Sequence, residues 1–146
     1  MAALLLVPFA APAASPAPAV PVPAAGSPDR ALRPADVIEP PLPVEAFPGQ
    51  VKEACGIWKE LTWPRASRAT DHPVVNTRLV IRGANVYHNR SGDLPAAGHY
   101  REYDVNPRVP GTRRDAERLV RDTDTTAVWY TADHYANFRE ISSGCE

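Results

Sequence analysis

Residues 99–105, His-Tyr-Arg-Glu-Tyr-Asp-Val, form the clearest strand pattern in the sequence. The side chains alternate between two sets. One set contains Tyr100, Glu102 and Asp104, and the other contains Arg101, Tyr103 and Val105. An alternation of this kind is typical of a β-strand, whose successive side chains point to opposite faces of the sheet. The pattern therefore predicts a strand that carries Glu102 and Asp104 on the same face.

Further short segments around this strand predict a sheet. The predicted strands are residues 78–82, 85–88, 118–121, 127–131 and 135–141, with Gly83-Ala84 between the first two. Pro95, residues 107–111 and residues 122–126 separate later strands as turns or loops. One weakly specified helical region precedes the strands. The predicted fold class is therefore α+β, with a small antiparallel β-sheet and one N-terminal helix packed on it.

Composition divides the chain of 146 residues into unequal parts. Twelve of the 17 prolines lie in residues 1–48, and residues 1–28 carry no Asp, Glu, Lys or Arg. We predict a leader over 1–25, a Pro/Ala-rich disordered linker over 26–50 and a globular domain over 51–146. The formal net charge of -1 excludes a strongly basic protein that holds nucleic acid by bulk charge, although local arginine clusters are present.

The leader begins with an apolar run over residues 2–11 that has the length of a signal-peptide core. It is too short and too interrupted by proline to cross a membrane as a helix. A basic segment before the run is missing, so both a secretion signal and a plain disordered leader stay open.

Glu102, Arg114, Arg118 and His134 carry the most suggestive chemistry in the sequence. A carboxylate can accept a proton from a ribose 2′-hydroxyl, and a histidine can protonate a leaving oxygen. Arginine side chains match the geometry of phosphate oxygens. Each residue also has a simpler structural interpretation when taken alone, because surface ion pairs and packed histidines are common.

Several segments together resemble the small secreted microbial guanyl-specific ribonucleases, which include the streptomycete enzymes and the more distant barnase. The segments are Val-Tyr-His-Asn-Arg at 86–90, Tyr-Arg-Glu-Tyr-Asp-Val at 100–105, Arg-Asp-Ala-Glu-Arg at 114–118 and Asp-His-Tyr-Ala-Asn-Phe at 133–138. The resemblance is strong from Val86 onward and poor across residues 56–82. It implies the microbial ribonuclease fold, single-stranded RNA as substrate and no metal or cofactor.

The resemblance also implies the role of each site residue. Glu102 corresponds to the general base and His134 to the general acid, and Arg114 and Arg118 correspond to the arginines that bind the scissile phosphate. Arg113 is a competing assignment, and Tyr135 corresponds to a phosphate ligand. Family members cleave RNA through a 2′,3′-cyclic phosphate to a 3′-phosphate, so this chain is expected to be an endoribonuclease, a nuclease that combines a lyase step with a hydrolase step.

The base-recognition loop departs from the family pattern. The resemblance assigns substrate binding to Tyr87, His88, Asn89 and Arg90, but Ser91 stands where the family has a glutamate. A serine hydroxyl lacks the two charged acceptors of a carboxylate. Asp93 could substitute if the loop bends differently. Guanine preference is therefore expected to be weakened or shifted.

Cys55 and Cys145 are the only cysteines, so at most one internal disulfide can form. The resemblance implies that they pair and tie the start of the domain to its end, as suits a secreted, extracellular monomer. Two other hypotheses stay open: a catalytically weak RNA- or protein-binding module that keeps the fold, and a toxin nuclease with a small acidic inhibitor protein. No membrane partner is expected.

Overall fold

A computed structural model describes residues 38–146 and shows one sheet with one α-helix. The elements are β1 (Ile38–Pro43), a short 3-10 helix (Val44–Ala46), α1 (Gly49–Glu60), β2 (Thr70–Pro73), β3 (Val80–Tyr87), β4 (Tyr100–Asp104), β5 (Arg118–Asp122), β6 (Val128–Thr131) and β7 (Phe138–Ser143). The strand order is β1-β7-β6-β5-β4-β3-β2. The predicted α+β class is confirmed.

The sheet differs from the small antiparallel sheet that was predicted. It has seven strands, and it is mixed because β1 runs parallel to β7 while every other pair is antiparallel. The additional strands are β1 and β2, which lie at the two edges. Both contain proline, and proline is tolerated at a sheet edge because it need not donate to a neighbouring strand.

The predicted linker of residues 26–50 overlaps the part of the chain that the structure describes. Residues 38–50 form β1, the short 3-10 helix and the start of α1. Val44 and Phe47 are buried in the core, which anchors this proline-rich segment although its composition suggested disorder. The predicted leader and the rest of the predicted linker lie outside the described residues.

α1 is an amphipathic helix that covers one face of the sheet. Its buried residues are Val51, Ala54, Cys55 and Trp58, a spacing of three and four that places them on one side. The Trp58 indole N–H donates to the Asp104 carbonyl oxygen at 2.8 Å, which ties the helix to β4. Cys55 on this helix is disulfide-bonded to Cys145, so the predicted pairing is observed.

The two segments predicted as separate strands around Gly83-Ala84 are a single strand, β3. Its pairing with β4 shifts by one residue between Gly83 and Asn85, and Ala84 has a φ of 74°. This is a β-bulge, in which one extra residue occupies a strand without ending it. The segment 64–77, between α1 and β3, contains β2.

The sheet face opposite α1 carries a second apolar cluster and the candidate site. The cluster contains Leu94, Tyr100, Val120, Trp129 and Phe138. Because Glu102 pairs with Val120 across β4 and β5, its side chain emerges on this face, beside the cluster. Within the described residues, no helix has the length and apolar character needed to cross a membrane.

Candidate active site

Glu102 lies in the middle of β4 with its side chain only 8% exposed. One carboxylate oxygen, Oε1, accepts hydrogen bonds from Asn85 Nδ2 at 3.1 Å and from Arg114 Nη1 at 3.3 Å. The other, Oε2, accepts a short hydrogen bond from the Tyr135 hydroxyl. A buried carboxylate with three donors is held in one orientation, which is what a positioned proton acceptor requires.

Asp104, two residues further along β4, organises the two arginines. Its carboxylate oxygen Oδ1 accepts from Arg114 Nε at 2.7 Å and lies 3.6 Å from Arg118 Nε. Burial alone would lower the pKa of Arg114, but the hydrogen bonds and charges of Asp104 and Glu102 raise it above its ordinary value. The predicted alternation is therefore confirmed at Glu102 and Asp104, which point to the same face and share Arg114.

Arg118 opens β5 directly opposite Asp104 in the strand register, and its side chain is only 4% exposed. Its Nη1 donates to Asp115 Oδ1 at 3.2 Å and to the Glu117 carbonyl at 2.7 Å. Arg113 is exposed, whereas Arg114 is partly buried and donates to Glu102. The geometry thus separates the two competing arginines by what they contact.

His134 lies in the loop between β6 and β7, in an unusual backbone conformation. Both His134 and Tyr135 have positive φ, 58° and 75°, a region that residues other than glycine seldom adopt. The Asp133 carboxylate stabilises this loop by accepting from Thr131 Oγ1, Ala136 N and both nitrogens of Asn137. Burial opposes ionisation of Asp133, but these hydrogen bonds together hold its pKa below the ordinary value.

The arginines and His134 line one open cleft of about 550 Å³. Its lining residues are Arg113, Arg114, Asp115, Ala116, Arg118 and His134. Glu102 adjoins this cleft through its contact with Arg114. The structure therefore brings the four predicted catalytic side chains into one neighbourhood, with the carboxylate buried and the imidazole exposed.

The predicted base-recognition loop forms a second concavity of about 330 Å³. It is lined by Val86, Tyr87, His88, Asn89, Arg90, Ser91 and Tyr135. The Asn89 side chain closes the loop by donating to the Leu94 carbonyl at 2.7 Å and accepting from the Leu94 N–H at 3.1 Å. Ser91 lines this concavity, and Asp93 is partly buried two residues further along the loop.

Tyr135 lies between the two concavities. Its ring centroid is 5.0 Å from that of Tyr87, and its hydroxyl donates to Glu102. Burial and this hydrogen bond raise the pKa of Tyr135 well above its ordinary value. The side chain that was predicted to bind phosphate is therefore in contact with the carboxylate in this structure.

Two residues of the site were missed from the sequence. Asp104 could have been found, because the strand alternation already placed it beside Glu102. Asn85 could not, because its orientation depends on the bulge at Ala84. Among residues 38–146, no group of three or more His, Cys, Asp or Glu side chains is arranged to hold a metal ion.

Comparisons with known proteins extend these observations. The ribonuclease family model matches residues 37–142. Guanyl-specific ribonuclease Sa3 of Kitasatospora aureofaciens is 43% identical over 63 residues, which cover 41% of this chain and 43% of that protein. Guanyl-specific ribonuclease Sa of the same organism is 40% identical over 63 residues, covering 41% of this chain and 64% of the relative.

A ribonuclease of Heyndrickxia coagulans is 44% identical over 61 residues, covering 40% of this chain and 53% of that protein. The matched region thus spans about half the length of these relatives. The family match covers most of the chain, including the helix, most of the sheet and every residue of the cleft. The chain therefore belongs to the ribonuclease family.

Proposed function

We propose that this protein is a metal-independent endoribonuclease that cleaves single-stranded RNA through a 2′,3′-cyclic phosphate to a 3′-phosphate. The observation that carries the proposal is the contact between buried Glu102 and Arg114, which in turn shares a cleft with Arg118 and His134. A base, two guanidiniums and an acid are the groups that phosphoryl transfer from a ribose hydroxyl needs.

In the first step, Glu102 accepts the proton of the ribose 2′-hydroxyl. The 2′-oxygen forms a bond to phosphorus while the bond from phosphorus to the 5′-oxygen breaks. His134, entering as imidazolium, gives its proton to the departing 5′-oxygen. Arg114 and Arg118 stabilise the negative charge that grows on the phosphoryl oxygens.

The second step is the reverse of the first with water in place of the 5′-hydroxyl. His134 accepts a proton from water as the water oxygen bonds to phosphorus. The bond from phosphorus to the 2′-oxygen breaks, and Glu102 returns its proton to that oxygen. The product carries a 3′-phosphate, and both side chains recover their starting protonation states.

We further propose that base preference is weaker than in the guanyl-specific relatives. Ser91 lines the concavity beside Tyr87, and its neutral hydroxyl offers one donor and weak acceptors in place of a carboxylate. Tyr87 and Tyr135 still provide aromatic faces on which any base can stack. Digestion of four homopolymers would test this, and a guanosine preference of several orders of magnitude would contradict it.

We propose an extracellular site of action. The disulfide between Cys55 and Cys145 requires an oxidising compartment, which supports export of the protein. Edman or mass-spectrometric analysis of the protein recovered from the culture medium would test this directly.

The proposed activity is tested by digesting single-stranded RNA in EDTA with the full chain and with His134→Ala. Removing a general acid costs roughly 10²–10⁴-fold in rate. His99→Ala is the matched control, since His99 is exposed, pairs with Asp124 and does not line the cleft with Arg114. Equal rates for the parent and His134→Ala would overturn the proposed function.

A further inference from the structure

The bulge in β3 determines which side chain faces Glu102. Gly83 pairs with Tyr103, so an uninterrupted ladder would place Ala84 opposite Glu102. The register shift instead pairs Asn85 with Glu102 and Tyr87 with Tyr100. Ala84 is the extra residue, buried and at a φ of 74°. The bulge therefore moves the odd-numbered residues of β3 from the helix side to the cleft side.

The side chains before and after the bulge contact opposite sides of the sheet. Ile81 and Gly83 lie on the helix side, where a Cβ on Gly83 would meet the rings of Tyr103 and Trp58. Beyond the bulge, Asn85 is exposed on the cleft side and its Nδ2 donates to Glu102 Oε1 at 3.1 Å. A neutral donor thus stands directly against the buried carboxylate.

We propose that Asn85 is a positioning residue for Glu102, whose side-chain amide fixes the orientation of the carboxylate in the cleft. The proposal rests on the proposed function, in which Glu102 is the general base. Asn85 does this from the strand beside β4, whereas Arg114 and Tyr135 reach the carboxylate from loops. A strand residue is held more rigidly than a loop residue, which suits an anchor.

Other charged and titratable groups also surround this carboxylate. Arg114 approaches from the loop before β5, and Tyr135 approaches from the loop after β6. Tyr87 lies on β3 and Asp104 on β4, and Arg118 of β5 lies beside Asp104. On the β5 side the directly paired residue is apolar Val120. A carboxylate placed at position 85 would therefore add a like charge against Oε1, where the structure now has an amide.

The experiment compares Asn85→Asp and Asn85→Ala with Asn76→Asp in the full chain. Asn76 is exposed in the turn between β2 and β3 and has a positive φ, which aspartate also tolerates, so Asn76→Asp adds the same charge away from the cleft. For Asn85→Asp, the acidic limb of the kcat/KM profile should move to higher pH by about 0.5–1 unit, because like charges resist joint ionisation. Asn76→Asp should leave the limb in place.

Asn85→Ala should lower kcat by roughly tenfold with KM little changed, since one hydrogen bond to a charged group is lost. Two kinetic results would overturn the proposal. One is an Asn85→Asp variant that loses activity by the same factor at every pH, and the other is an Asn85→Ala variant in which only KM changes.

Carboxyl ¹³C NMR titration of Glu102 gives a second measurement that does not need activity. Its midpoint should rise in Asn85→Asp and not in Asn76→Asp, and an unmoved midpoint overturns the proposal. A parent protein that cannot cleave RNA would instead refute the proposed function.

Discussion

Asp104 shows how much a single residue can organise. Its side chain is 2% exposed and lies between two guanidiniums, those of Arg114 and Arg118. It also accepts a hydrogen bond from the Arg82 backbone N–H at 3.2 Å. The same carboxylate therefore links β3 to the two arginines of the cleft. Removing this charge would leave the two cations without the carboxylate that lies between them, and their mutual repulsion would then be less compensated.

We therefore expect Asp104→Asn to destabilise the protein by about 3–5 kcal/mol, the usual cost of removing one partner of a buried ion pair. The measurement is the free energy of unfolding from urea denaturation. Asp115→Asn is the matched control, since Asp115 pairs with Arg118 but is 44% exposed, and exposed pairs contribute about 0–1 kcal/mol. Equal losses in the two variants would show that burial of Asp104 has no energetic consequence.

Alternation along one strand predicted that Glu102 and Asp104 share a face, whereas the roles of Arg114, Arg118 and His134 came from the family resemblance. Glu102 and Asp104 face the same side because strand side chains alternate, and this needs no tertiary information. Asn85 was missed because the bulge changes the phase of the alternation, and the sequence predicted a break between two strands at Gly83-Ala84 instead of one inserted residue. The positive φ of His134 was also missed, because histidine adopts that conformation only in a minority of cases.

At the scale of elements, β3 depends on close packing against α1. A Cβ added to Gly83 would lie 2.5 Å from Tyr103 Cδ1 and 2.6 Å from an atom of the Trp58 ring. Gly83 is therefore required for the approach of helix and sheet. By contrast, Gly56 in the middle of α1 has nothing within 4 Å of such a Cβ.

Gly83→Ala should destabilise the protein by about 1–3 kcal/mol through overpacking. Gly56→Ala makes the same chemical change on an exposed helix position and should stabilise it by about 1 kcal/mol, because alanine is the better helix former. Thermal and urea unfolding of both variants give the comparison. Gly83→Ala as stable as the parent would mean that α1 packs less closely on the sheet than described.

The turn between β5 and β6 is held by Asp122. Its carboxylate accepts from the backbone N–H groups of His99 and Asp124 and from the Thr125 hydroxyl. Burial would raise the pKa of Asp122, but these hydrogen bonds together lower it below its ordinary value. Because the pKa of Asp122 is lower in the folded state, its ionised carboxylate stabilises the fold. This stabilisation is complete above the pKa of the unfolded state, about 3.9, and is lost as the pH falls through the pKa of the folded state.

Asp122→Asn should therefore cost about 1–2 kcal/mol at pH 7, and the difference from the parent should shrink toward pH 3. The unfolding free energy at several pH values measures this. Glu53→Gln, an exposed change of the same type on α1, should show little pH-dependent difference. A gap between Asp122→Asn and the parent that widens at low pH would contradict the assigned hydrogen bonds.

The elements that sequence patterns predicted are those with regular alternation, β4 to β7. The edge strands β1 and β2 were not predicted, and the N-terminal helix was predicted without bounds. β1 and α1 begin within or beside a proline-rich segment. Composition alone cannot distinguish such a segment from a linker, because its order depends on Val44 and Phe47 reaching the core and on backbone pairing of β1 with β7. Both are long-range contacts that no local pattern records.

At the scale of the whole molecule, one covalent link joins the helix to the end of the chain. Cys55 lies on α1 and Cys145 follows β7, at a sequence separation of 90. Nearly the entire sheet therefore lies inside the loop that the disulfide closes. Such a constraint lowers the entropy of the unfolded chain more than it changes the folded one.

Replacing both cysteines with alanine should lower the unfolding free energy by about 3–5 kcal/mol, as expected for a closed loop of this length. Reduction of the parent by a phosphine should produce a loss of the same size, whereas the double variant should not respond to the reductant. Denaturant unfolding of the four samples measures this. A parent protein whose stability is unchanged by reduction would show that the fold does not depend on the link.

We propose that the cleft activates a ribose 2′-hydroxyl, and removing that hydroxyl from the substrate tests this proposal. The measurement uses a single-stranded RNA oligonucleotide and a copy with one 2′-deoxy residue at the cleaved position, both digested in EDTA and followed by mass spectrometry. We predict a 2′,3′-cyclic phosphate followed by a 3′-phosphate from the first, and no cleavage at the deoxy position in the second. Cleavage at the deoxy position, or a 5′-phosphate on the product, would refute attack by the 2′-oxygen.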